Sequence, residues 1–242
     1  MTTRPSHRTI VALFIAAACL IPAAAARAEQ KTHLFILSGQ SNMAGLNPDL
    51  SFTPTVTKGL SADKVIVVKD AVGGQPIRRW YKKWHAPEGK DIPAGKQPWG
   101  DLYDQMMRKV KPAIAAARPD TVTFVWMQGE RDAKESLSDV YAESFKGMIA
   151  QLQADLGRTD INVVIGRLSD FGNDDKAYPH WTKIRDIQVK LAEDDPRTEW
   201  VDTDDLNGPN NGLHYAKEGY VELGKRFADK ALALIAAAKT TK

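Results

Sequence analysis

Cysteine is nearly missing from this chain: of 242 residues, only Cys19 carries a thiol. One thiol makes no internal disulfide and no Cys-ligated metal cluster, so a packed core has to supply the stability. Long apolar runs are also missing, apart from Ile10 to Ala26 near the N-terminus, and a multi-span membrane protein is excluded. No sequence repeat recurs at periods of about 20 to 50 residues, and no low-complexity tract follows residue 28. Solenoid, collagen-like and disordered readings therefore fall away.

The N-terminus itself has the three parts of a secretory signal. A basic start (Arg4, His7, Arg8) precedes an apolar centre (Ile10 to Ala18, Leu20, Ile21) and the small-residue site Ala26-Arg27-Ala28. The expectation is a signal peptide over residues 1–28 and one domain over 29–242, exported to the periplasm or the medium, with no stable membrane insertion after cleavage. A retained anchor is the other reading of the same stretch, but the run is short, Ala-rich and ends in a cleavage-type site. Removal of the signal takes away Cys19 together with Arg4, Arg8 and Arg27. The formal net charge of +3 leaves with those three arginines, since no acid lies before Glu29. A neutral mature chain has no global basic field for nucleic acid. A domain of this length can bury roughly 70% of its unfolded surface.

Along the remainder, short apolar runs alternate with longer helical stretches. His33 to Leu37, Val65 to Val68, Val122 to Trp126, Ile161 to Gly166 and Trp200 to Asp202 read as strands, rich in branched residues and not strictly alternating, as in parallel strands covered on both faces. Gly100 to Arg118, Ser136 to Leu156, Trp181 to Glu193 and Lys217 to Ala238 carry apolar residues spaced by three and four, as helices do. The pattern predicts an α/β chain with a three-layer, doubly wound, flavodoxin-like fold around a five-stranded parallel sheet. In such sheets ligands bind beyond the carboxyl ends of the strands, so the residues just after each strand carry the information.

After the first strand, Ser38-Gly39-Gln40-Ser41-Asn42-Met43 forms a small-residue turn that presents Ser41 at the sheet edge, where free helix N–H groups can receive an oxyanion. Alone, Ser41 reads better as an N-cap. Met43 stands where the nucleophile elbow G-x-S-x-G has its second glycine, so this is not that motif. After the second strand, Gly73-Gly74 permits close backbone approach and a further N–H donor. After the third, Gln128-Gly129-Glu130-Arg131-Asp132 places an amide and two carboxylates, whose plainer role is to charge a helix N-terminus. After the fifth come Asp202, Asp204 and Asp205, then Asn211-Gly212-Leu213-His214-Tyr215. The conjunction is what counts, because this topology brings all four segments to one crevice.

The segments GQSNMAG, GGQPIRRW, WMQGERDA and NGLHY followed by GYVELGKRFA, in that order, resemble the SGNH-hydrolase superfamily. The match is to its sialate O-acetylesterase-like branch, which also holds the acetyl xylan esterases of carbohydrate esterase family 6. The resemblance implies a cofactor-free serine esterase that removes O-acetyl groups from carbohydrates, with Ser41 as nucleophile and His214 as general base. It also implies an oxyanion hole from the Ser41 N–H, a Gly74 (or Gly73) N–H and the Gln128 side-chain amide. Each such donor contributes about 3 kcal/mol.

Many members carry Asp three residues before the histidine, where this chain has Asn211. An Asp-to-Asn change in a serine-protease triad costs about 10⁴ in kcat. In this branch the QGE glutamate lies close to the histidine, so Glu130 is the expected replacement, with Asp202, Asp204 and Asp205 as alternatives. Asn42, Arg78 and Trp80 are expected to touch substrate, because the Arg78 to Trp99 segment carries aromatic and basic residues suited to sugar rings; a small satellite core formed by its tryptophans is the other reading. His33, His85 and His180 show no ligand-type spacing, so no metal is implied. A lipid or small-ester hydrolase, an acetyltransferase, and a carbohydrate-binding protein that has lost turnover are the alternative functions.

Overall fold

The computed structural model describes residues 1–2, 29–93, 98–174 and 176–240, so the expected signal falls almost wholly outside the described residues. Each helical stretch returns the chain to the same end of the next strand, and the sheet is accordingly all-parallel. Its strands are β1 (Thr32–Gly39), β2 (Lys64–Ala71), β3 (Thr121–Met127), β4 (Asn162–Gly166) and β5 (Thr198–Val201), in the order β2-β1-β3-β4-β5. In register, Leu34 faces Ile66 on one side and Val122 on the other. This is the doubly wound arrangement predicted from the alternation of elements.

Among the described residues, seven α-helices connect and cover the strands: α1 (Ser41–Gly45), α2 (Phe52–Leu60), α3 (Asp101–Ala117), α4 (Glu130–Lys134), α5 (Ser138–Leu156), α6 (Trp181–Glu193) and α7 (Lys217–Thr240). Helices α2 and α7 pack together on one face of the sheet, while α3, α5 and α6 cover the other. Strands β1, β3 and β4 lie between these layers and are buried almost throughout. Among the described residues, no helix is long and apolar enough to cross a membrane.

Several elements depart from the expected bounds, and one helix is unexpected. Helix α5 starts at Ser138 rather than Ser136, since Ser136 has a φ of 57°, outside the helical region; the residues before it form the separate turn α4. The last strand begins two residues before the expected Trp200 and ends one residue before Asp202. Helix α2 escapes detection because its sequence, FTPTVTKGL, is rich in poor helix formers. It forms because Phe52, Val56 and Leu60, one turn apart, are all buried.

The tryptophans after β2 belong to the core. Trp80 has no solvent exposure; its ring meets Trp126 edge-on at 5.2 Å, and its Nε1 donates to Ser38 Oγ at 3.0 Å. Trp84 meets Trp99 edge-on at 5.1 Å. Such pairs contribute about 0.5–1.5 kcal/mol beyond area burial.

Candidate active site

The turn after β1 is fixed by a backbone approach that admits only glycine. Gly39 has a φ of +142°, and a Cβ there would stand 2.0 Å from the Met127 carbonyl oxygen. The same carbonyl accepts the Gln40 N–H at 2.9 Å, tying the turn to the end of β3. Helix α1 then begins at Ser41, half-buried at the carboxyl edge of the sheet.

Across the edge, the loop between β5 and α7 brings His214 to the serine. His214 Nε2 lies 2.9 Å from Ser41 Oγ, a distance that suits proton transfer. Both residues open on a cleft of about 370 Å³ whose wall also includes Gln40, Gly73, Gly74, Glu130 and Leu213. A Cβ on Gly73 would stand only 3.5 Å from Ser41 Cβ, so this loop passes close over the serine.

Glu130 starts α4 beneath the cleft and is 2% exposed. Its Oε1 accepts from Asn42 Nδ2 at 3.0 Å, while Oε2 is buried without a hydrogen-bond partner. Burial pushes its carboxyl up to about 7, against the opposing effect of the Asn42 bond and with a further push from the Asp132 charge. Among the described residues no hydrogen bond joins Glu130 to His214; the link is indirect. Asn42 Nδ2 also donates to the Leu213 carbonyl at 3.1 Å, and Asn42 Oδ1 accepts from Tyr220 OH at 3.1 Å.

Several expected site residues stand elsewhere. Asn42 is buried, with its amide engaged by Glu130, Leu213 and Tyr220, so it braces the site from below instead of meeting substrate. Trp80 is core, as above, because its indole completes the packing against β3. Arg78 pairs with Glu135 at 2.6 Å and lies over the Trp84 ring, away from the cleft wall. Gln128 is fully buried and does not line the cleft; its Nε2 donates to Asp132 Oδ2 at 2.5 Å and to the Gln75 carbonyl at 3.1 Å, which uses the N–H groups expected for an oxyanion.

The alternative acids are engaged too. Asp202 and Asp204 pair with Arg167, Asp204 also with Arg185, and Asp205 with Arg226. Asn211 has a φ of 45°, a conformation that asparagine tolerates well, and its Oδ1 accepts from Asn207 Nδ2 at 2.5 Å. Sequence reading missed Gln40, Arg131, Lys134 and Tyr178 in the cleft wall. Arg131 and Lys134 carry a signal in hindsight, since they follow the QGE segment within one helical turn.

A serine and a histidine in contact on the first and last loops at the carboxyl edge of a five-stranded parallel sheet define an SGNH-type hydrolase fold. Solved structures agree on that fold: a lipase/acylhydrolase from Enterococcus faecalis superposes with a TM-score of 0.50 at 14% identity, over 83% of this chain and 96% of its own. Residues 45–233 match the family described as "Carbohydrate esterase, sialic acid-specific acetylesterase", and the chain belongs to it. It is a carbohydrate esterase by family. The chain is 22% identical over 208 residues, 85% of its length and 70% of the relative's, to an Arabidopsis thaliana protein named as a carbohydrate esterase. The X-ray structure of that plant protein gives a TM-score of 0.64 at 20% identity, over 83% of this chain and 98% of its own. A carbohydrate acetylesterase from Xanthomonas citri gives 0.61 at 19% identity, over 83% of this chain and 56% of its own.

Proposed function

We propose that the chain removes O-acetyl groups from carbohydrates through an acetyl-enzyme on Ser41. The observation that carries this reading is the 2.9 Å contact between Ser41 Oγ and His214 Nε2 at the mouth of the cleft. His214 Nε2 takes the serine proton as Oγ attacks the acetyl carbonyl, and the carbonyl π electrons move to oxygen. The oxyanion donors of this reading are the Ser41 N–H and the N–H of Gly73 or Gly74, which line the cleft. Collapse of the intermediate breaks the bond to the sugar oxygen, which leaves with the proton held by His214. Water then attacks the acetyl-enzyme and gives a proton to His214; collapse breaks the Ser41 ester bond, His214 returns the proton to Ser41 Oγ, and acetic acid leaves.

Glu130 is the acid of this reading, acting through Asn42 and the Leu213 backbone to hold the histidine loop. The basic start, apolar centre and cleavage-type site of residues 1–28 support export. The test is turnover of 4-nitrophenyl acetate beside the butyrate and octanoate esters, followed by acetate release from acetylated glycans, with Ser41→Ala as control. Serine-dependent turnover restricted to acetate supports deacetylation; preference for long chains favours a lipid esterase.

A further inference from the structure

The segment after β3 holds a second carboxylate that the proposed chemistry leaves unused. Asp132 stands on α4 two residues beyond Glu130, with no solvent exposure and no place in the cleft wall. A carboxylate that served only to charge the start of its helix would sit at the surface, because burying one costs several kcal/mol unless hydrogen bonds replace its water. The bonds that Asp132 makes reach out of its helix. Its Oδ2 accepts the Ile77 N–H at 2.9 Å and the Gln128 Nε2 at 2.5 Å. Gln128 Nε2 in turn donates to the Gln75 carbonyl at 3.1 Å.

These contacts converge on one short stretch of backbone. Pro76, with no N–H and a φ of −79°, is flanked by the two groups that the pair takes up, the Gln75 carbonyl and the Ile77 N–H. The Gln75 side chain carries the constraint upstream: its Nε2 donates to the Gly73 carbonyl at 3.0 Å, and its Oε1 accepts from Arg79 Nη1 at 2.6 Å. Gly73 and Gly74 line the cleft beside Ser41. A continuous chain of hydrogen bonds therefore runs from Asp132 through Gln128 and Gln75 to the loop over the serine.

We infer that Asp132 is a positioning residue: with Gln128 it fixes the Gly73–Ile77 loop against Ser41, and so sets where that loop's amides stand when the acetyl carbonyl is attacked. The inference rests on the esterase reading above, and the experiment separates the two. Asp132→Ala removes Oδ2, the one atom that accepts from both the Ile77 N–H and the Gln128 amide, so both ties to the loop are lost.

With 4-nitrophenyl acetate, the expected result for Asp132→Ala is a kcat about 100-fold lower per fluorophosphonate-titrated active site, as for loss of one oxyanion donor, with KM within about threefold of the native value. Gln128→Ala is expected to behave alike, and the double variant to lose little more than the worse single one, since both act on one loop. A purely structural role lowers the melting temperature and the fraction of titratable sites but leaves kcat per site unchanged, and that result overturns the inference. If Asp132→Ala fails to fold, Gln128→Ala decides by the same numbers. Ser41→Ala runs in parallel: activity surviving there overturns the esterase mechanism itself, whereas an inactive Ser41→Ala beside a fully active Asp132→Ala overturns only the positioning role.

Discussion

Asn42 Nδ2 donates to Glu130 Oε1 at 3.0 Å, and the same nitrogen reaches the Leu213 carbonyl, immediately before His214, at 3.1 Å. One buried amide thus joins the acidic residue after β3 to the histidine loop after β5. Without it, Glu130 would be a buried carboxylate with one oxygen already unpartnered and the other newly so. Asn42→Ala removes the partner of three groups, Glu130, Leu213 and Tyr220 OH. The expected cost is about 2–3 kcal/mol of stability together with a fall in kcat, read by thermal melting and by 4-nitrophenyl acetate kinetics. Native kcat in that variant would separate Asn42 from the site.

Glu130→Gln should lose far more rate than Asn211→Ala. Glu130 lies in the cleft wall and is tied to the histidine loop, whereas the Asn211 side chain is turned toward Asn207. Steady-state kinetics of the two variants give the ranking. The reverse order would move the acid role away from Glu130.

Stability should fall as pH rises from about 4.5 to about 7. Glu130 and Asp132 are both pushed up to about 7, chiefly by burial, from ordinary values of 4.5 and 3.8. In this window the folded chain holds protons that the unfolded chain has released, so raising the pH favours unfolding until both groups are ionised, after which the effect is level. Asp160 and Asp205, held low by hydrogen bonds from Arg158 and Arg226, act in the opposite sense but only below their ordinary 3.8. Melting curves between pH 5 and 8 are expected to show the decline, and Glu130→Gln to make it shallower while the Asp132 contribution remains. A melting temperature that climbs across that range contradicts the burial argument.

Trp80→Phe separates core from sugar platform. The indole fills space against Trp126 and donates to Ser38 Oγ, so its replacement should cost about 1–3 kcal/mol while KM for an acetylated glycan stays unchanged. A raised KM with native stability would return Trp80 to the substrate.

The strands and the long helices were legible because each carries a strong periodic signal, as in HLFIL of β1 or the apolar spacing of α7. The turn α4 and the helix α2 were not: the first is five residues long, and the second has Pro54, Gly59 and four branched residues, so only its packing against α7 makes it helical. At the site, spacing along the chain could bring Ser41 and His214 to one edge, because topology alone does that. It could not show that Gln128 turns inward to Asp132 and Gln75, or that Arg78 and Trp80 are taken by Glu135 and Ser38, since each depends on a partner more than 40 residues away or on side-chain direction.

The most direct test of the account is to trap the covalent intermediate. The native chain is mixed with excess 4-nitrophenyl acetate, quenched in acid within the first turnovers, digested and analysed by mass spectrometry, beside His214→Ala. The account predicts one acetyl group on the peptide that bears Ser41, and none there when His214 is replaced. Rapid turnover with no acetyl on Ser41, or with the acetyl on another residue, would contradict it.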